Sequence, residues 1–408
     1  MTLTLQAILG LGVTLAVSAL LSRRRRQIPW KSVAVAVGSQ IGLGLLFLHV
    51  EWARQFLGLV TSVAAALSHS TMQATAFVFG YIGGGDLPFD TLPGSSSFVF
   101  ALQVLPLIIV FGAFSAVLVH WRVLGFVVSL GAWVVRKTMG VSGPVGFAAV
   151  ANAFLGMIEA PLLIKPYLSK LAPNELFVVM AVGMSTVAGG TAVIISAIVS
   201  SDPQIFANVI TATLMNVPGA IAIALILFPP DAVTPGEVTI RSPYRSTMDA
   251  LVTGTADGVK IFLNVVSLLI VFIALISLID LGLGNVFDGL TLSRILGTVL
   301  APIAWLLGID SGEIVAAGGI LGTKLAVNEI VAYTDLAGAY GTLTPHTHFV
   351  LTFALCGFGN FGSLAIMIGG ISAMAPERRQ DVIRFGFWAL LAALLTNCMT
   401  AAIASILG

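Results

Sequence analysis

Two glutamates stand out because each lies in an apolar stretch where a charge is costly. Glu159 lies in GMIEAPLLIKPYL (156–168), and Glu329 lies in GTKLAVNEIVAY (322–333). A carboxylate at the centre of a bilayer costs about 2.5–3.5 kcal/mol on insertion scales unless it faces a polar cavity. In such a cavity the two carboxylates could accept hydrogen bonds from a polar solute. The alternative is that each pairs with a nearby lysine, Lys165 or Lys324, in a structural role.

The composition indicates an all-α polytopic membrane protein. Of the 408 residues, 58% are hydrophobic and 9% are charged, and the mean hydropathy is +1.04. Eight apolar runs have about the length that crosses a bilayer as a helix. They lie at 2–21, 32–50, 97–119, 175–199, 205–228, 260–285, 347–372 and 383–407. The first run resembles a signal sequence, but it is long and the arginines follow it, which favours a retained anchor.

Two further apolar regions, 141–168 and 311–338, are broken near their middles by small, polar and charged residues. We expect both to be re-entrant hairpins. The shorter stretch 54–68 is expected to be an interfacial helix. The two cysteines, Cys356 and Cys398, lie in apolar segments and predict neither a disulfide nor a thiolate metal site.

The distribution of basic residues predicts the orientation in the membrane. Arg23 to Arg26 place the end of the first span in the cytoplasm and the N-terminus outside. Counting the crossings onward along the chain places eight further basic residues on the cytoplasmic side. They are Arg122, Arg136, Lys137, Arg241, Arg245, Arg378, Arg379 and Arg384. The opposite loops carry Asp86, Asp90, Asp202, Asp288 and Asp310. This count works only if each hairpin enters and leaves on one side, so one hairpin opens inward and the other outward.

Matched spacings support an inverted repeat. Glu159 follows Ser142 by 17 residues, and Glu329 follows Ser311 by 18. A span interrupted by small residues follows each glutamate, with STVAGG at 185–190 and GFGNFGS at 357–363. Inverted repeats with broken helices are typical of transporters that bind substrate near the midplane. The alternative is chance, since the chain has 43 glycines.

The strings GMIEAPLLIKPYL, GTKLAVNEIVAY and ALCGFGNFGSLAIMIGGISAMAPERR resemble the concentrative nucleoside transporter family over about 97–407. GTKxxxNE and GxxNFxS are the most specific matches. The resemblance implies two inverted repeats of a hairpin and broken helices on a homotrimeric scaffold. It also implies a secondary active symporter that imports nucleosides by an elevator-like movement, coupled to sodium or, in some members, to protons.

The resemblance assigns the first hairpin to the nucleobase. Where the family has GQTEAP, this chain reads GMIEAP, so Glu159 should bind the base side of the substrate. Met157 and Ile158 replace the family's glutamine and threonine, and neither side chain can donate a hydrogen bond. Base recognition must therefore differ here, through apolar contacts or waters, and the preferred nucleoside stays open.

The resemblance assigns the ribose to the second hairpin and the break that follows it. Glu329 matches the glutamate that accepts ribose hydroxyls, and Asn328 should support the hairpin tip. Phe358, Asn360 and Ser363 match the residues that line the ribose end.

For the coupling cation, the resemblance points to Asn152, Leu155, Ser185 and Thr186, whose oxygens suit a hard cation such as sodium. The alternative is that the two hydroxyls only bond back to their own helix. A proton-coupled relative would instead use Glu159 or Glu329.

These expectations divide the chain into five parts. They are N-terminal helices (1–96), a scaffold helix with an interfacial segment (97–140), the first transport repeat (141–228), a loop with a second scaffold helix (229–290), and the second repeat (291–408). We expect a bacterial inner membrane protein with nucleoside, lipid and sister subunits as partners, and no nucleic acid. An intramembrane enzyme is disfavoured because the chain has no HExxH or GxSxG motif. A channel is possible, because broken helices also form filters, but opposed hairpins fit alternating access better.

Overall fold

The structure is a computed structural model, and it describes residues 2–90, 97–230, 234, 243–287 and 289–408. Arg241 and Asp288, which the charge count used, lie outside these residues. The N-terminal part contains α1 (Leu3–Leu20), α2 (Trp30–His49), α3 (Glu51–Phe79), α4 (Phe100–Gln103), α5 (Leu107–His120) and α6 (Val123–Met139).

The first repeat contains α7 (Gly143–Leu155), α8 (Glu159–Leu163), α9 (Lys165–Leu168), α10 (Pro173–Ser185), α11 (Gly189–Ile198) and α12 (Ile205–Leu227). A single long helix, α13 (Thr247–Val286), follows. The second repeat contains α14 (Leu292–Leu306), α15 (Ile314–Ala326), α16 (Glu329–Gly338), α17 (Pro345–Leu355), α18 (Phe361–Met374) and α19 (Arg379–Leu407).

Seven of the eight expected crossings coincide with described stretches that are long and apolar enough to span a bilayer, although the one at 175–199 is interrupted between α10 and α11. The remaining one, 347–372, is divided between α17 and α18, each too short to cross alone. The sixth crossing was expected at 260–285, and this stretch lies within the longer α13. The helix begins at Thr247 because the Ser246 hydroxyl accepts a hydrogen bond from the Asp249 amide at 3.1 Å and caps an N-terminal part too polar to read as a span.

The expected interfacial helix at 54–68 is the middle of the longer α3. This helix is long enough to cross a bilayer, but it is less apolar than the seven spans. Its 29 residues continue to Phe79, where Gly80 takes a φ of +64° and ends the helix. The prediction therefore found the helix but underestimated its length.

The two repeats have the same order of elements. In each, a preceding helix (α6 or α14) packs against the first arm of a helical hairpin, and a broken helix and a long helix follow. The hairpins are α7 with α8 and α15 with α16, which pack against each other across a short break. The first half of the broken helix ends at Ser185 or Leu355, in both cases 26 residues after the hairpin glutamate. The helix α14 lies outside the eight apolar runs of the sequence.

The bases of the hairpins lie at opposite ends of α19. Arg378, just before α19, donates to the carbonyl of Ser169 at 3.3 Å, beside the base of the first hairpin. Near the other end, Ser405 contacts His346 Nε2 at 3.2 Å, and this nitrogen lies 3.2 Å from the Gly308 carbonyl, close to the base of the second hairpin. Since 29 helical residues span roughly 43 Å, the bases of the two hairpins lie far apart along α19.

Candidate substrate and cation site

A cavity of about 710 Å³ lies between α5 and α13 on one side and the hairpin tips and helix breaks on the other. Pockets that enclose small molecules typically have volumes of about 300–1,000 Å³. All eight residues expected to contact substrate line this cavity. They are Met157, Ile158, Glu159, Asn328, Glu329, Phe358, Asn360 and Ser363.

Glu329 occupies the point where two helices begin. It is the first residue of α16, and the Asn328 side chain caps that helix by accepting a hydrogen bond from the Val331 amide at 3.0 Å. The Glu329 Oε2 atom accepts a hydrogen bond at 3.1 Å from Asn360 Nδ2. Asn360 in turn caps α18, because its Oδ1 accepts from the Ser363 amide at 2.7 Å. The carboxylate is therefore held at the N-terminal ends of α16 and α18, where a negative charge is favoured.

Glu159 begins α8, and its carboxylate folds back over the tip of the first hairpin. A β-carbon at Gly156 would lie 2.8 Å from Glu159 Oε2, and the φ of Gly156 is +111°. Both the close approach and the backbone conformation require glycine at this position. The tip sequence thus fixes where the carboxylate lies.

The alternative that lysines neutralise these glutamates is wrong for the described residues. No ion pair within 4.0 Å joins Glu159 or Glu329 to Lys165 or Lys324 in the part of the chain that the structure describes. The Lys324 ammonium instead donates to the Ala354 carbonyl at 2.8 Å and to Asn397 Oδ1 at 2.7 Å.

Met157 and Ile158 line the cavity but also pack against the helices behind it. A β-carbon at Gly370 on α18 would lie 2.3 Å from Ile158 Cδ1, so the isoleucine fills the space above this glycine. A β-carbon at Gly183 on α10 would lie 3.4 Å from Met157 Cβ. These apolar side chains therefore join the first hairpin to both broken helices, in addition to forming a wall of the cavity.

Asn152 and Thr186 meet where α7 approaches the end of α10. Asn152 Nδ2 donates to Thr186 Oγ1 at 2.7 Å and to the Val182 carbonyl at 3.0 Å. The Asn152 Oδ1 atom is buried without a hydrogen-bond partner. A buried acceptor without a donor is costly, and a cation would satisfy it.

The other two residues expected at the cation are less clearly directed at it. Leu155 is the last residue of α7 and lines the cavity. The Ser185 hydroxyl donates to the Ala181 carbonyl at 2.6 Å. The Thr186 hydroxyl donates to the Val182 carbonyl at 3.1 Å. The back-bonding alternative thus describes both hydroxyls, although Thr186 also accepts from Asn152.

Sequence reasoning missed the wall of the cavity that α5 and α13 form. Asp257, Ile261, Asn264 and Leu268 line it from one face of α13, at helical spacing. Asp257 also forms an ion pair with Lys260 at 2.9 Å. Three of these four residues lie within the span expected at 260–285, so their helical spacing is a signal that could have found this face. Further lining residues on this side are Ser115, Val119 and Tyr244.

Comparison with known families identifies three matching regions. Residues 9–82 match the family described as Na+ dependent nucleoside transporter N-terminus, and residues 208–405 match its C-terminus. Residues 101–201 match a domain described as nucleoside recognition. Together these regions cover nearly the whole chain.

Individual relatives extend the match over the full length. The putative nucleoside permease NupX of Escherichia coli (strain K12) is 34% identical over 417 residues, which cover 98% of each chain. The human sodium/nucleoside cotransporter 1 is 32% identical, with 96% of this chain covered and 62% of the relative.

Solved structures agree in fold. CNTnw in an inward-facing substrate-bound state superposes with a TM-score of 0.92 at 34% identity, covering 99% of this chain and 97% of that chain. A substituted form of CNTnw in an outward-facing state gives a TM-score of 0.90 at 33% identity, covering 100% and 98%.

Proposed function

The chain belongs to the concentrative nucleoside transporter family, whose members are integral membrane transporters and not enzymes, and we propose that it is a symporter that imports nucleosides together with sodium. The observation that carries this proposal is the convergence of both hairpin glutamates on one cavity. In this cavity, Glu329 accepts hydrogen bonds from the ribose hydroxyls, and Asn328 supports it. Asn360, Phe358 and Ser363 enclose the ribose.

At the other end of the cavity, Glu159 accepts a hydrogen bond from a donor on the nucleobase. Met157 and Ile158 contact the base only through apolar surface, because neither can donate a hydrogen bond. The transporter therefore selects bases by shape and by the donor that faces Glu159.

Sodium is the coupling ion in this proposal, with Asn152, Leu155, Ser185 and Thr186 around it. The unpartnered Asn152 Oδ1 supports this assignment, because an amide oxygen is a suitable ligand for a hard cation. Protons are the alternative, and Glu159 or Glu329 would then carry them. The family description and the name of the human relative both refer to sodium.

The transport cycle is an elevator-like movement of the two repeats, 141–228 and 291–408, against a scaffold formed by 1–96, 97–140 and 229–290. In support, the cavity lies between the scaffold helices α5 and α13 and the hairpin tips. The hairpins are re-entrant, and their bases face opposite sides of the membrane. A channel is the less favoured alternative, since a channel would need no separation into a scaffold and a moving part.

The N-terminus lies outside a bacterial inner membrane, and the protein is a homotrimer. Contacts among residues expected in the cytoplasm support this orientation. The Arg23 guanidinium lies 5.1 Å from the centre of the Phe228 ring and 5.6 Å from that of Trp388, so the ends of α1, α12 and the early part of α19 gather together.

Uptake of labelled nucleosides into proteoliposomes tests this function. We expect uptake to require an inward sodium gradient and to stop when choline replaces sodium at constant pH. Asn152→Ala should raise the sodium concentration for half-maximal uptake by about 10-fold or more, the cost of one lost buried ligand. Exposed Asn285→Ala is the matched control. Uptake that follows a proton gradient in choline would replace sodium by protons, and unsaturable flux would indicate a channel.

A further inference from the structure

Two asparagines join the breaks of both repeats. Asn216 on α12 donates from Nδ2 to the carbonyls of Ser185 at 2.8 Å and Cys356 at 2.7 Å. Asn397 on α19 donates to the same two carbonyls at 2.9 and 2.8 Å. Ser185 ends α10 and Cys356 follows α17, so each asparagine binds both broken helices at once.

The oxygens of these two amides have different partners. Asn216 Oδ1 accepts a hydrogen bond from the Thr400 hydroxyl. Asn397 Oδ1 accepts one from the Lys324 ammonium at 2.7 Å. Since both hydrogen bonds from Asn397 Nδ2 go to carbonyls, the orientation of this amide is fixed, and its oxygen must face the lysine. Only 2% of Lys324 is exposed.

Lys324 and Asn152 lie at corresponding places in the two repeats. Each is in the last turn of the first hairpin arm, and each donates to a carbonyl in the last turn of the broken helix that follows. These carbonyls belong to Val182 and Ala354. In the first repeat, Asn152 Oδ1 is left as an acceptor without a donor. In the second repeat, the acceptors already surround a positive charge that belongs to the chain.

We propose that the Lys324 ammonium is a tethered cation, which occupies in the second repeat the place that corresponds to the sodium site of the first. An ammonium and a sodium ion carry the same charge, and both are satisfied by carbonyl and amide oxygens. The transporter therefore takes up one free cation with each nucleoside, because the second position is permanently filled. This inference rests on the sodium site proposed above.

Two substitutions at Lys324 separate a tethered cation from a structural side chain. Lys324→Ser removes the charge and leaves room for a sodium ion between Ala354 O and Asn397 Oδ1. Lys324→Met removes the charge but fills the same volume with a side chain that cannot satisfy either oxygen. Lys170→Ser, which changes an exposed lysine outside the cavity, is the control.

The measurements are the sodium dependence of uptake, the ratio of labelled sodium to nucleoside, and the melting temperature of the purified protein in sodium and in choline. For the wild type and Lys170→Ser we expect a Hill coefficient of about 1 and about one sodium per nucleoside. For Lys324→Ser we expect the Hill coefficient and the ratio to approach about 2, and a melting temperature that sodium raises well beyond its effect on the wild type. Lys324→Met should be destabilised without rescue by sodium.

Three results would overturn the tethered cation. They are a Lys324→Ser variant with an unchanged sodium ratio and sodium-independent melting, one that fails to fold at every sodium concentration, and equal responses of the serine and methionine variants. Failure of the proposed function looks different, because wild-type uptake would then be independent of sodium. In that case the melting temperatures of Lys324→Ser in sodium and choline still decide whether a free cation replaces the ammonium.

Discussion

The two carboxylates differ in what holds them, although the sequence presents them alike. Glu329 has a side-chain partner, Asn360, from another helix. Glu159 is placed by its own hairpin tip, over Gly156. Their position in apolar stretches was enough to predict that they line a cavity. Their partners could not be predicted, because the contact between Glu329 and Asn360 depends on how α18 packs against the hairpin.

Glu329→Gln should reduce nucleoside affinity by about 10- to 100-fold, since hydrogen bonds to a charged group contribute about 1.5–3 kcal/mol each. Glutamine keeps the shape and one oxygen, so the protein should fold and melt as the wild type does. Calorimetric titration with nucleoside measures the affinity, and labelled uptake measures transport. Glu51→Gln, at an exposed position at the start of α3, is the control. Unchanged binding would remove Glu329 from the substrate site.

At the scale of elements, the sequence located the interruptions of the helices better than their ends. STVAGG and GFGNFGS mark the breaks between α10 and α11 and between α17 and α18. Both breaks combine small residues with side chains that cap the next helix or bond to the previous one. By contrast, α14 and the part of α13 before residue 260 were missed, since amphipathic and partly charged helices do not give the continuous apolar run of a span.

The contact between Ile158 and Gly370 predicts how the first hairpin closes on α18. Gly370→Ala should force the Ile158 side chain to move and reduce nucleoside affinity by up to about 10-fold, because its β-carbon would lie 2.3 Å from Ile158 Cδ1. Adding Ile158→Ala should restore much of the loss by making room. Gly369→Ala, whose β-carbon would meet nothing within 4 Å, is the control.

A double-mutant cycle on binding affinity and melting temperature measures this coupling. Additive effects of Gly370→Ala and Ile158→Ala would mean that the two residues do not meet in the protein. A non-additive rescue of affinity would show that Ile158 packs against Gly370 as well as forming a wall of the cavity.

On the scale of the whole molecule, α13 is the least enclosed of the long apolar helices that the structure describes. Only 6% of the residues in its most apolar stretch are buried. Its 40 residues extend roughly 60 Å, which is twice the hydrocarbon thickness of a bilayer. The part from 265 to 286 is long enough to cross alone. The part from 247 to 264 carries charges and also lines the cavity, so it cannot lie wholly in lipid tails. Sister subunits on α13 would cover surface that one chain leaves open.

We expect the proposed homotrimer to depend on α13. Native mass spectrometry of the purified protein should give about three times the chain mass of 42.4 kDa. Ile270→Asn with Leu278→Asn, which places amides on an exposed face of α13, should shift the population towards single chains, because helices associate in lipid through close apolar packing that the shorter amide side chains disrupt. Phe126→Asn with Leu130→Asn makes the same change on the exposed face of α6 and should leave the trimer intact. A wild type of one chain mass would reject the trimer, and equal dissociation of both double variants would show that α13 is not its main contact.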